Sequence, residues 1–176
     1  NLLVNADINS SGYGSTYGTG GLVGQIYGPT TIANCGVIGT VTNAYTGYTQ
    51  VNVGGMVGYL YDDLTLSNCY STADVIAQST SYSSAVGGLV GGAGSYNLNA
   101  ANCYAAGNVT AAGGSSGGFF GKLSKGNLTN CYYNSVNKEN SFDGLTGKSD
   151  DELKGLADSL GSEYLSDNGK DRKSVV

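Results

Sequence analysis

The chain's 176 residues suffice for one domain with a sizeable core, or for about five repeats of a longer array. A net charge of −5, with eight basic residues against thirteen acidic ones, excludes the clustered Lys and Arg that a nucleic-acid partner needs. The absence of histidine excludes Ser-His-Asp and Cys-His catalysis, and no apolar run is long enough for membrane insertion.

The first residues read as the second half of a repeat. Asn1-Leu2-Leu3-Val4-Asn5-Ala6-Asp7-Ile8 aligns with Asn68-Cys69-Tyr70-Ser71-Thr72-Ala73-Asp74-Val75, which puts Leu2 in a slot that cysteine fills elsewhere. The chain is therefore expected to be a fragment of a longer protein with neighbouring domains; the alternative is a natural N-terminal cap. Complete repeats follow. Gly20-Gly21-Leu22-Val23-Gly24 leads to Asn34-Cys35, and Gly54-Gly55-Met56-Val57-Gly58 leads to Asn68-Cys69. Gly87-Gly88-Leu89-Val90-Gly91 leads to Asn102-Cys103, and Gly117-Gly118-Phe119-Phe120-Gly121 to Asn130-Cys131. Successive cysteines stand 34, 34 and 28 residues apart. Self-similarity at such a period marks a solenoid or array and outranks local propensity.

Within each repeat the alternation is that of strands. Cys35, Val37, Gly39 and Val41 share one face, as do Cys69, Ser71, Ala73 and Val75, then Cys103, Ala105, Gly107 and Val109. In the first half, Leu22, Gly24 and Ile26 are expected to point inward with Met56, Gly58, Leu60 and with Phe119, Gly121, Leu123. Ile32, Leu66 and Leu128 precede a cysteine by three, an odd spacing that implies a bend between them. About 33 residues at roughly 3.3 Å each give a perimeter on the order of 100 Å, enough for one coil of three short strands. A propeller blade needs four antiparallel strands with hairpins, which the repeat does not show. The expected fold is all-β: a parallel β-helix, or solenoid, of about 33-residue repeats, stacked in register.

Residues 1–135, the repeat body, hold six charged side chains, whereas 136–176 hold the other fifteen. Within that charged C-terminal segment, Ser149-Asp150-Asp151-Glu152 is a capping box and Leu153, Leu156, Ala157 and Leu160 form one helical stripe, with Gly161 at the stop. A short capping helix is expected near 150–160, lying over the open end of the solenoid below Phe119 and Phe120.

The Gly-Gly-Leu-Val-Gly core, the Asn-Cys-Tyr triplet and the Gly-x-Val-Thr strand end resemble the GLUG-motif repeats of large bacterial surface proteins, among them adhesins and immunoglobulin A peptidase precursors. The run from Asn130-Cys131-Tyr132-Tyr133 to Gly144-Leu145-Thr146-Gly147-Lys148-Ser149 looks like the way such arrays end, and the likeness covers roughly residues 1–165. Phe119-Phe120 and the last residues, 171–176, depart from it. An adhesive module would take a glycan or host surface protein as partner; the resemblance itself implies an extracellular, cell-surface location and an adhesive or scaffolding role, and supplies no ligand. It supplies no catalytic residue.

Four cysteines in an extracellular chain would ordinarily read as two disulfides. Equivalent positions on adjacent coils, however, leave Cβ atoms farther apart than the roughly 3.8 Å a disulfide favours, so free buried thiols are expected. One cysteine per repeat is not a zinc site, and no cofactor is expected. Asn34, Asn68, Asn102 and Asn130 suit an amide ladder at a coil corner or a left-handed turn. Tyr70, Tyr104 and Tyr132 form a column that could stack against sugar rings, the candidate ligand-binding residues; the alternative is an aromatic stack that shields the sheet. No enzyme is expected. A polysaccharide-active β-helix is the enzymatic alternative, but the body offers only Asp7, Asp62, Asp63 and Asp74 as acids. Adhesive binding and passive spacing of another domain are the two leading functions.

Overall fold

The computed structural model describes residues 1–14, 17–136 and 138–159. Strand β1 (Leu2–Ser10) is half a coil. The first full coil runs through β2 (Gly18–Gly20), β3 (Val23–Ile26), β4 (Thr30–Ala33) and β5 (Cys35–Asn43). The second repeats it as β6 (Asn52–Gly54), β7 (Val57–Leu60), β8 (Leu64–Ser67), β9 (Tyr70–Ser71) and β10 (Asp74–Ala77). The third is β11 (Ala85–Gly87), β12 (Val90–Gly92), β13 (Asn97–Ala101), β14 (Tyr104–Ala105) and β15 (Val109–Ala111). The fourth is β16 (Ser115–Gly117), β17 (Phe120–Lys122), β18 (Lys125–Thr129) and β19 (Cys131–Asn134). Strand β20 (Leu145–Lys148) and helix α1 (Asp150–Ser159) complete the described chain.

Every strand pairs in parallel with its equivalent one coil away, so four sheets run along the axis. The register is the one the repeats imply: Gly20 opposes Gly54, Ile32 opposes Leu66, and Gly36 opposes Tyr70. Leu2 opposes Cys35, which puts it in the cysteine slot. The parallel β-solenoid is therefore the fold, with four sheets rather than three strands per coil.

The extra sheet arises at the Gly-Gly motif, where the chain doubles back and the first two sheets pack backbone against backbone. A Cβ at Gly54 would lie 2.0 Å from Val57 O, and one at Gly58 would lie 2.5 Å from Thr19 N. Gly58 thus faces the neighbouring strand, not the apolar interior. Only glycine fits so close an approach. The residue after each Gly-Gly pair then fills the core: Met56, Leu89 and Phe119 are fully buried. With Val37, Val41, Leu60, Leu64, Leu98, Cys69 and Cys103 they form one continuous cluster, each larger side chain contributing about 1.5–3 kcal/mol through burial.

Between the third and fourth sheets the four asparagines form each coil's corner. Asn34, Asn68, Asn102 and Asn130 have φ between 51 and 55°, the left-handed region that asparagine tolerates. Their amides also form a ladder: Asn68 donates to Asn34 at 2.9 Å, Asn102 to Asn68 at 3.1 Å, and Asn130 to Asn102 at 3.2 Å. Turn and ladder coexist. The cysteines beside them are unbridged, three of them buried. Cys69 Sγ donates to Ser67 O at 3.2 Å, and the thiol of Cys103 is held well above its ordinary range by the thiols of Cys131 and Cys69 and by burial.

Pairing continues beyond residue 135, because β20 adds to β19. In the inner coils the carbonyl of Leu89 accepts from the amides of Met56 and Val57, and that of Phe119 from Leu89 and Val90. Among the described residues no fifth coil offers this carbonyl to Phe119 and Phe120. Asn140 Oδ1 takes its place, accepting from Phe119 N at 2.6 Å and Phe120 N at 3.0 Å, while Nδ2 donates to Phe120 O at 3.0 Å. Phe142 packs edge-on against Phe120 beside it.

The expected position of the helix is corrected by this arrangement. Asn140 and Phe142 close the end below Phe119 and Phe120, and α1 lies instead on the outer face of the fourth sheet. Leu153 is buried there with Ile38, Tyr70, Tyr104 and Ala106. The aromatic column offers an apolar strip, and the helix's first turn reaches it directly from β20. The capping box forms as read: Ser149 N donates to Glu152 Oε2 at 2.9 Å and Glu152 N to Ser149 Oγ at 3.4 Å. Leu160 and Gly161 lie outside the described residues, as do the side chains of Leu156 and Ala157.

Candidate binding surface

The column of tyrosines exists where the register puts it. Tyr70 opposes Tyr104, and Tyr104 opposes Tyr132, on the outward face of the fourth sheet. The rings of Tyr70 and Tyr104 stack with centroids 5.2 Å apart and planes within 7°. Tyr70 leans toward the first coil, over Gly36, where a Cβ would meet its ring at 2.3 Å. The column is not open to solvent: Tyr70 and Tyr104 are only 8% and 9% exposed, and Tyr132 is half-buried against the same cluster. The rings that could stack on a sugar are thus occupied by one another and by Leu153.

The exposed aromatic surface lies elsewhere, on two edges of the solenoid. Where β3 turns toward β4, and β7 toward β8, Tyr27 and Tyr61 stack at 4.9 Å with planes 2° apart. Tyr59 meets Tyr61 edge-on at 4.8 Å. Three rings thus converge at this corner, and the hydroxyl of Tyr61 is held above its ordinary pKa by partial burial and then by the phenols of Tyr59, Tyr27 and Tyr96. On the other edge, in the loops leading back to the first sheet, Tyr13 stacks on Tyr45 at 4.5 Å and Tyr48 meets Tyr82 at 5.7 Å. Tyr27 is 68% exposed and Tyr82 75%. These tyrosines carried a sequence signal that the cysteine-anchored alignment passed over. Tyr27 and Tyr61 stand 34 residues apart, as do Tyr48 and Tyr82, the same period as the cysteines.

Acidic residues support the turns. Asp63 accepts from Asn97 N at 2.8 Å and from Asn97 Nδ2 at 2.9 Å, and the backbone amide, then the side chain, lower its pKa. Asp62 accepts from Asp63 N at 2.8 Å. Asp74 accepts from the backbone and side-chain amides of Asn108 at 2.9 and 3.0 Å, in an open groove of about 430 Å³ lined also by Ile76, Val109 and Thr110. Among the described residues no group of three or more Cys, Asp or Glu side chains is placed to hold a metal ion. No helix among them is long and apolar enough to cross a membrane.

No protein-family model matches the chain, and no curated protein does. Among solved structures, the chain is similar to a Bacteroides ovatus protein named a putative immunoglobulin A1 protease. The two superpose with a TM-score of 0.67 at 22% identity, over 92% of this chain. The match spans 52% of that protein's chain. At this identity the likeness establishes the fold alone.

Proposed function

We propose that this chain is a non-enzymatic repeat module of a bacterial cell-surface protein of the GLUG-motif type, and that it binds a glycan or a host protein. The observation that carries the reading is the distribution of aromatic rings. A solenoid presents equivalent side chains once per coil, and here it brings exposed tyrosines onto two edges, where weak contacts add through multivalency. Tyrosine supplies a broad apolar face with a hydrogen-bonding tip at low entropic cost, which suits recognition surfaces. The likeness to a protein named as a protease of immunoglobulin A1 is consistent with a surface setting, and this chain corresponds to about half of that neighbour. Its repeat-body carboxylates Asp63 and Asp74 are engaged by turn amides rather than paired across a cleft, which supports binding rather than chemistry.

One observation favours the second reading, a passive spacer. The column with the most regular stacking, at Tyr70 and Tyr104, is covered, and the continuous ladders make a stiff rod. The test is binding of the purified chain to a glycan array and to immobilised host matrix proteins. Saturable binding that falls when Tyr27, Tyr48, Tyr61 and Tyr82 are all changed to alanine supports the adhesive module. No binding to either set leaves the spacer.

A further inference from the structure

We infer that the corner formed by Tyr27, Tyr59 and Tyr61 is a ledge that seats a neutral glycan. The inference rests on the adhesive reading above and gives it a site and a ligand class.

The corner gathers its rings from two successive coils, so the ladder of backbone hydrogen bonds sets their spacing. Tyr27 has one face stacked on Tyr61, yet 68% of it is exposed; its opposite face and its edges therefore carry that exposure. Tyr59 stands at 65° to Tyr61, giving the ledge a second wall, and it fits because the third coil has Gly92, where a Cβ would lie 3.1 Å from its ring. Polar groups edge the rings. Tyr27 Oη donates to Gln25 Oε1 at 3.1 Å, which holds that amide beside the ring, and Asp62 sits at the turn's tip. A pyranose has matching chemistry: an apolar C–H face for the ring and equatorial hydroxyls for an amide and a carboxylate at its rim.

Charge narrows the ligand to neutral sugars. The corner carries the carboxylates of Asp62 and Asp63, with Lys125 laddered to Asn97, the partner of Asp63, and Lys122 laddered to Tyr59 through Gly92. Two carboxylates against two ammoniums leave the corner without the net positive charge that would select sialylated or uronic-acid glycans. The site is also preorganised. Asp63 is tied to Asn97 through both backbone and side chain, so little loop entropy is lost on binding. On the opposite edge Tyr48 and Tyr82 meet only edge-on, at 5.7 Å, and offer a less ordered platform than the stacked pair of Tyr27 and Tyr61.

The experiment titrates chain carrying ¹³C-labelled tyrosine with the hexasaccharides of cellulose, chitin, starch and β-mannan, and with sialyllactose as the anionic probe. Ring resonances of Tyr27 and Tyr61 are expected to shift saturably with at least one neutral hexasaccharide. Tyr27→Ala and Tyr61→Ala should each weaken that binding about tenfold, equivalent to about 1.4 kcal/mol. Tyr27→Phe, which keeps the ring but releases Gln25, should weaken binding less than Tyr27→Ala does, and Val136→Ala, at an exposed side chain after β19, should stay within about twofold. Circular dichroism of each variant checks that the solenoid is intact; if Tyr61→Ala unfolds, Tyr27→Ala decides. Shifts confined to Tyr48 and Tyr82 overturn the corner while leaving the adhesive reading standing. Response to sialyllactose alone overturns the ligand class. Silence with all five probes overturns the inference, and the matrix-protein assay above then decides the adhesive reading separately.

Discussion

Replacing Asn140 with alanine removes the group that substitutes for a fifth coil. Its amide oxygen accepts from Phe119 N and Phe120 N, at 2.6 and 3.0 Å, and its nitrogen donates to Phe120 O. Phe119 is fully buried, and Phe120 nearly so. Asn140→Ala strands two backbone donors and one acceptor, each costing about 1–3 kcal/mol when water cannot replace the partner. The site lies at the solenoid's end, where water reaches more easily than in the middle, so the lower bound applies to each group. The expected loss is about 3 kcal/mol in all. With a urea dependence of about 2 kcal/mol/M, the unfolding midpoint should fall by about 1.5 M. Far-ultraviolet circular dichroism during a urea titration reads this directly. Amide hydrogen exchange localises it: Phe119 and Phe120 should exchange faster, while Leu89 and Val90, bonded to a backbone carbonyl, should keep their protection. A midpoint shift below about 0.25 M, or unchanged exchange at Phe119 and Phe120, would refute the substitution of side chain for coil.

Asn68→Ala should cost more than Asn68→Gly, because alanine at φ 51° is strained by about 1–2 kcal/mol whereas glycine loses only the ladder bonds; equal urea midpoints would show that the turn conformation contributes nothing. Cys69→Val should stay within about 1.5 kcal/mol of the parent and Cys69→Tyr should not fold, since the fully buried slot has no room for a ring; rapid labelling of the native thiols of Cys69 and Cys103 by a maleimide would contradict this burial. The Glu152 carboxylate is lowered by Ser149 N–H, then Lys148 and the Ser149 hydroxyl, so its contribution to docking α1 is complete above the ordinary glutamate pKa of about 4.3 and is lost as pH falls through the lower folded value. The methyl resonances of Leu153 should therefore move in acid below about pH 4 and not between about pH 5 and 8, and Glu152→Gln should abolish that acid transition.

The period, the parallel register and the cysteine slot were legible because they repeat. Four copies of one pattern average out local ambiguity, and Leu2 pairing with Cys35 follows from the alignment alone. The fourth sheet was not legible, because the reason for the Gly-Gly motif is an approach between two strands of the same coil. In sequence, such glycines look like turn residues. The asparagines presented two physical roles that seemed to compete; the corner satisfies both, since φ belongs to the backbone and the ladder to the side chain. The tyrosine column was placed correctly and its exposure was not. Alternation assigns a side chain to the outer face of a sheet, but it does not reveal that a distant segment lies over that face. The stripe containing Leu153 was readable as apolar, and both the column and the solenoid's end were available to receive it. Asn140 had no signal at all, because a lone asparagine outside the repeats resembles any loop residue.

The division of tyrosines between covered column and open corners is tested most directly by nitrating the native chain with tetranitromethane and mapping the modified residues by mass spectrometry. Tyr27, Tyr48 and Tyr82 should react first, and Tyr70, Tyr104 and Tyr133 should remain protected until the chain unfolds. Leu153→Asp should release Tyr70 and Tyr104 while leaving Tyr133, which lies in the solenoid core, protected. Early nitration of Tyr70 and Tyr104 in the unaltered chain, with Tyr27 and Tyr82 spared, would contradict the placement of the binding surface at the corners.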